Sequence, residues 1–311
     1  MSPIPFLDGP VSKSARLKRN PLLSIALFWG LLAGASFGVG DFAIRMGVRN
    51  GTPFTGAIII SSTVIVVSGV AASIHGVTAG PLWPAVGWFL LMGLAASGPG
   101  RIFFFYSLRR IGVSRATVLI TVTPLFSLLY AVVFLGERPS WHIVLGLLFV
   151  ISGVGAVVKD RSGIRMCPKE VLLGLTPALF LGGTLVFSRL GMQSLRDPTL
   201  GNIVTSLGSL LFLLGAQPLI PKKERWGAGR GGLMYFGLGG LCYCAAFFAY
   251  HTALGAGRVS FIAPLTFTSA LFSILIARLF AQELERVTWR LAAGGLVVFI
   301  GVYLVSLSKG G

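Results

Sequence analysis

Ten long apolar runs, joined by connections of at most about twenty residues, leave this chain almost no sequence outside a bilayer. They fall at 22–44, 54–74, 84–106, 113–135, 141–158, 171–190, 200–220, 232–254, 259–281 and 288–307. A helix needs about 20 mostly apolar residues to cross a membrane. Each run is too long for a strand, and none has the ten-residue alternation of an outer-membrane barrel. Lipid offers backbone groups no hydrogen-bond partner, so a helical bundle is the fold that satisfies them. Charged residues make up 11% of the 311 and hydrophobic ones 54%; a soluble protein carries roughly 25% charged residues. The expected class is an all-α, multi-pass integral membrane protein of ten transmembrane helices, placed in the cell (inner) membrane with the lipid bilayer as its surroundings.

The connections carry breakers: Asn50-Gly51-Thr52-Pro53, Gly80-Pro81, Gly136-Glu137-Arg138-Pro139 and Asp197-Pro198. Residues 1–21 hold Lys13, Arg16, Lys18 and Arg19 but no short apolar core with a cleavage site behind it, so they read as a polar tail. Lys and Arg number 26 against 9 Asp and Glu. These cations lie singly or in small groups between apolar runs, which excludes a nucleic-acid partner. Cys167, Cys242, Cys244, His75, His142 and His251 are too scattered for a disulfide framework or a metal site, so no cofactor is expected. No GxxxxGK[ST] sequence is present, which disfavours a self-contained ATP-driven pump. The 42 glycines are about twice the usual share. Many sit at helical spacing, as Gly30, Gly34 and Gly38 do, where small residues let helices approach closely.

Sliding the chain on itself exposes a repeat of about 145 residues, with copies at 22–158 and 171–307. Gly38, Arg45 and Gly47 match Gly182, Arg189 and Gly191; Pro53, Gly56 and Ser61 match Pro198, Gly201 and Ser206. Later the register is 146, pairing Leu108, Val113, Leu119, Phe126, Ser127 and Glu137 with Leu254, Val259, Leu265, Phe272, Ser273 and Glu283. Five spans per copy is an odd number, so the second copy enters the membrane from the opposite side. Two inverted five-helix repeats offer a mechanism: exchanging the conformations of the halves turns an inward-open cavity outward, with the substrate at their interface.

Trp29-Gly30 in the first span, the turn leading to Pro124-Leu125-Phe126, and Phe134-Leu135-Gly136-Glu137-Arg138 before a Gly-rich fifth span resemble the EamA-type repeat of the drug/metabolite transporter superfamily. In the second copy Phe280-Ala281-Gln282-Glu283-Leu284 keeps the Glu and loses the Gly, and Ala270 replaces Pro124. The resemblance covers nearly all of 22–307. It implies both termini on one side, a cavity between the halves, and a carrier for a small organic metabolite or drug-like compound, with export one of the directions open to it. It does not name the cargo.

Ionisable residues inside a bilayer are costly and point to function. Asp41 alone of the nine acids falls within a run, four residues before Arg45 on one helical face. Two readings follow: a local ion pair, or a proton-coupling site. Arg101 follows Gly98-Pro99-Gly100, a sequence expected to interrupt the third span. It is suited either to hold a carboxylate or phosphate of the cargo or to snorkel to the interface. Arg278 belongs with the snorkelling cations, and Glu137 and Glu283 are expected to cap spans four and nine.

Tyr106 and Tyr250 lie 144 apart, each behind a pair of Phe, and with Tyr243 supply aromatic hydroxyls suited to an amphipathic cargo. Thr121, Thr123, Thr266, Thr268 and Ser269 add hydroxyls. The cavity is accordingly expected between spans three, four, eight and nine, as a monomer or homodimer, with protons as a second transported partner if Asp41 couples. An intramembrane lipid-modifying enzyme is the rival reading, and it lacks gathered acid/base or metal groups. Orientation is not fixed: the tail cluster favours a cytoplasmic N-terminus, while the loops on the other side carry more Lys and Arg.

Overall fold

The computed structural model describes residues 21–76, 82–120, 122–136, 167–195, 197–256, 268–280 and 289–307, with isolated positions in 141–153 and 262–266. Everything regular among them is helix, with a single isolated bridge between Gly51 and Ala228. The first copy supplies α1 (Pro21–Arg49), α2 (Pro53–His75), α3 (Leu82–Leu91), a π-helical turn (Met92–Ser97), α4 (Gly98–Arg110), α5 (Val113–Ile120) and α6 (Thr123–Leu135). The second supplies α7 (Pro168–Ser194), α8 (Pro198–Ala216), the short α9 (Lys222–Arg225), α10 (Arg230–Ala256), α11 (Ser269–Phe280) and α12 (Trp289–Leu307). Among the described residues six helical stretches are long and apolar enough to cross a membrane, and α6 is a shorter apolar helix. Much of 141–158 and 257–268, on which the expected number of ten also rests, lies outside the described residues. Val70, Ile74, Val133 and Leu172 point their side chains outward, as lipid-facing residues do.

Equivalent loops start equivalent helices in the same way. Thr52 caps α2, its Oγ1 accepting from the Thr55 amide at 3.3 Å, and Asp197 caps α8, its Oδ1 accepting from Thr199 and Leu200 at 2.9 and 3.3 Å. Each cap is followed by proline at a position whose N–H has no intrahelical partner. The α6 helix ends on Gly136, at φ +65, where a left-handed residue closes the last turn. The sequence predicted a break at Gly98-Pro99-Gly100; the helix instead widens just before it. Proline cannot donate to the carbonyl four residues back, and the π-helical turn absorbs the mismatch, with Gly98 N–H bonded to Gly93 O.

The copies exchange partners. On one side α1 runs antiparallel to α10, through Gly40 against Tyr243, Ile44 against Gly239 and Gly47 against Phe236. It runs parallel to the segment entering α11, through Gly30 against Leu265 and Gly38 against Phe272. Its counterpart α7 does the same in the first copy: antiparallel to α3 and α4 through Leu181 against Gly100 and Gly191 against Phe89, parallel to α5 and α6 through Gly174 against Leu119 and Gly182 against Phe126. Two phenylalanines fill matching sockets. A Cβ at Gly47, Gly51 or Gly56 would come within 2.5–2.7 Å of the Phe236 ring, and one at Gly191 or Gly201 within 2.7–3.0 Å of the Phe89 ring.

Among the described residues the two larger apolar cores are each built from both copies. One contains Phe89, Met92, Leu185, Met192 and Leu254; the other contains Ile44, Phe54, Phe105, Leu213 and Phe236. Phe236→Ala empties a socket, and a buried Phe→Ala change costs about 3 kcal/mol or more. It is expected to lower the melting temperature of the detergent-purified protein clearly, and Gly47→Leu, whose side chain would need the place of the ring, is expected to do so as well. Gly215→Ala, where an added Cβ meets nothing within 4 Å, is expected to leave it unchanged.

Candidate functional site

A cavity with about 900 Å3 of empty space, counting its open mouth, lies between the copies. Phe37 and Asp41 of α1, Ser97, Arg101, Phe104, Ile120 and Thr123 come from the first copy; Leu181, Thr184 and Leu185 of α7, Tyr243, Phe247 and Tyr250 of α10, Thr266 and Ser269 come from the second.

Arg101 is 4% exposed. One η-nitrogen donates to Ser61 Oγ at 2.7 Å and the other to Ser97 Oγ at 3.3 Å, while its guanidinium carbon lies 5.8 Å from the Tyr243 ring centre and 6.0 Å from that of Phe247. Among the described residues none of its partners is a carboxylate. Asp41 is answered differently: Tyr243 Oη donates to its carboxylate at 2.5 Å, and the charge of Arg45 acts on it from one helical turn away. Arg45 itself reaches across to α11 and donates to Ser273 Oγ at 3.5 Å. The local pair drawn from the sequence is therefore part of a contact between copies, in which the Tyr243 hydroxyl is the direct partner of Asp41.

Phe37 holds the aromatic wall together, its ring edge-on to Tyr243 at 5.3 Å, to Phe247 at 5.2 Å and to Tyr250 at 6.2 Å. Tyr250 shares a 3.4 Å hydrogen bond with Thr184. Thr123 donates to Ile120 O, so its hydroxyl ties α5 to α6 at the cavity edge. Thr268 likewise donates to Leu265 O at 2.6 Å.

The structure thus brings Asp41, Arg101, Thr123, Tyr243, Tyr250, Thr266 and Ser269 to one cavity and leaves Tyr106 out of it. Tyr106 lies beside Glu224, near the exposed Arg110–Glu224 pair of 3.5 Å at the far end of α4. The pairing of Tyr106 with Tyr250 used an offset of 144. The register of 146 that holds from Leu108 onward pairs Tyr250 with Phe104, which does line the cavity. Thr121, Glu137 and Glu283 lie outside the described residues, as does the side chain of Arg278. Spans one and six were not expected at the cavity, yet α1 and α7 supply Phe37, Asp41, Leu181, Thr184 and Leu185. Asp41 and Leu185 are equivalent positions, so the repeat already placed them on corresponding faces.

His251 stands apart from the cavity lining. It is fully buried, with Nδ1 2.7 Å from Ser188 Oγ and its ring stacked on Phe247.

A helical membrane bundle with a polar and aromatic cavity between two exchanged copies is the architecture of a transporter. The chain belongs to the EamA-like transporter family, whose model matches it twice, over residues 24–159 and 168–307, and thereby to the drug/metabolite transporter superfamily of membrane transporters. Solved structures share the fold. One, described only as a crystal structure of a protein, matches 91% of this chain and 97% of its own with a TM-score of 0.67 at 19% sequence identity. No curated protein matches the sequence.

Removing one hydroxyl separates the two tyrosine environments. Tyr243→Phe leaves the Asp41 carboxylate short of its donor inside the bundle and is expected to cost about 1–3 kcal/mol, the cost of an unsatisfied buried group. Tyr106→Phe, at the polar end of α4, is expected to stay within about 0.5 kcal/mol. Thermal melts of the two purified variants make the comparison.

Proposed function

We propose that the protein is a secondary carrier that moves a small organic metabolite or drug-like compound by alternating access of two inverted five-helix repeats. The observation that carries this reading is the composition of the cavity wall. Phe37 and Leu181, Asp41 and Leu185, Phe104 and Tyr250, Ile120 and Thr266, and Thr123 and Ser269 are equivalent positions in the two copies, and all ten line one space. A site built from both halves changes its access when the halves change places. The antiparallel pairing of α1 with α10 and of α7 with α3 and α4 supports an inverted arrangement, and ten spans put both termini on one side.

Among the described residues Asp41 is the acid at the cavity, bonded to Tyr243 across the α1–α10 contact, which is proposed to re-pack when the halves rock. Coupling to protons is proposed to run through it; without that, the cargo gradient drives transport. Arg101, Tyr243 and Tyr250 are proposed to contact the cargo.

The test is reconstitution in liposomes, with uptake and release of amino acids, sugars, organic acids and cationic dyes measured with and without a pH gradient. Saturable flux is expected in the wild type, with Asp41→Asn losing the response to the gradient while keeping exchange. An equal response in both proteins removes Asp41 as the coupling residue, and flux that never saturates removes the carrier. Topology has its own measurement. Reporter fusions at residue 311 and in the loop at 221–230 are expected on opposite sides of the membrane; finding them on the same side refutes ten spans.

A further inference from the structure

The cavity is lopsided. Among the described residues its two charged side chains, Asp41 and Arg101, both come from the first copy, and the positions equivalent to them in the second are Leu185 and Phe247. The second copy answers with rings: Tyr243, Phe247 and Tyr250. We propose that the cargo is a small amphipathic monoanion, a carboxylate on a planar apolar body, with its carboxylate on Arg101 and its ring among Phe37, Tyr243, Phe247 and Tyr250. The proposal rests on the carrier reading of the cavity and names what that cavity takes.

The charge balance gives the sign. A guanidinium removed from water needs a counter-charge or complete hydrogen bonding to hold it there. Ser61 and Ser97, 0% and 1% exposed, occupy two of its five N–H donors with neutral oxygens. The rings of Tyr243 and Phe247 add cation–π attraction, which does not neutralise it. Asp41 does not serve as the missing anion. Its carboxylate is bound by the Tyr243 hydroxyl at 2.5 Å and sits in the field of Arg45. Among the described residues, Arg101 is therefore the cation at the cavity left for the cargo to balance, and one negative charge balances it. A planar carboxylate matches the guanidinium fork, whereas a phosphate dianion would bring more charge than the site answers.

The body follows from distance. The guanidinium carbon lies 5.8 and 6.0 Å from the centres of the two rings that also face Phe37 at 5.3 and 5.2 Å. An anion on Arg101 and an apolar ring against that cluster are thus within the length of one small molecule. Aromatic pairs set edge-on accept a further ring in the same manner.

A matched series tests this: 3-phenylpropionate, 3-phenylpropan-1-ol, 2-phenylethylamine and phenylalanine, titrated calorimetrically into the full-length protein in detergent. The acid is expected to bind at least about tenfold more tightly than the alcohol, the amine or the zwitterion. Arg101→Met is expected to bring the acid to the level of the alcohol, and Arg101→Lys to keep part of the difference. If Arg101→Met does not yield folded protein, the wild-type series and Ser61→Ala, expected to weaken the acid and not the alcohol, decide the matter. Preference for the amine, no preference across the series, or unchanged affinity of Arg101→Met for the acid overturns the proposal. Preferential binding of the acid without flux in liposomes would instead sink the carrier reading and leave the anion site standing, while saturable flux of amines with no preference for the acid would do the reverse.

Discussion

Close backbone approach between α1 and α7 and the opposite copy is the contact on which everything else in this bundle depends. Lipid removes the hydrophobic drive for helices to associate, so packing at short range has to supply it. Glycine permits that range. At Gly34 an added Cβ would come within 2.6 Å of the Leu265 carbonyl, and at Gly182 within 3.0 Å of the Phe126 backbone. Because the same positions recur in both copies, the same contact is made twice, and the space left where the two sets meet is the cavity.

Within that space the two copies have diverged in chemistry while keeping their geometry. The first retains charge, Asp41 and Arg101, and the second has apolar or aromatic side chains where those would stand. Duplication alone gives a symmetric site, which would treat both ends of a cargo alike. Unequal walls orient an amphipathic molecule, and Tyr243 joins the two, its ring facing the Arg101 guanidinium and its hydroxyl donating to the Asp41 carboxylate.

Much of this was legible in the sequence, and the parts that were not have physical reasons. Long apolar runs and the Gly, Arg and Pro pairs at offsets of 144 and 145 identify helices and the repeat directly, since both signals are periodic along the chain. Asp41, Arg101, Tyr243 and Tyr250 stood out because polar groups within apolar runs are few. Tyr106 misled because aromatic residues are common enough to match at a wrong register by chance; the better-populated register of 146 favours Phe104. The widening at Met92–Ser97 was hidden because Gly98-Pro99-Gly100 signals disruption without saying whether the helix breaks or dilates. The part taken by α1 and α7 in the cavity depends on which copy each helix packs against, a long-range fact that no local pattern carries.

The exchange of partners also has a consequence for biogenesis. During synthesis the first copy is complete before Phe236, Leu265 and Phe272 exist, so the glycine face of α1 enters the bilayer with no helix to receive it. The socket that Gly47 of α1, Gly51 and Gly56 of α2 form receives its ring, Phe236, only when the third span of the second copy arrives. Neither half reaches its final packing by itself, and a chain that stalls between the copies presents two helix faces, on α1 and on α3–α4, that have lost their partners. Such a chain leaves unpacked helix faces within the membrane, the kind of incomplete intermediate from which misassembly starts.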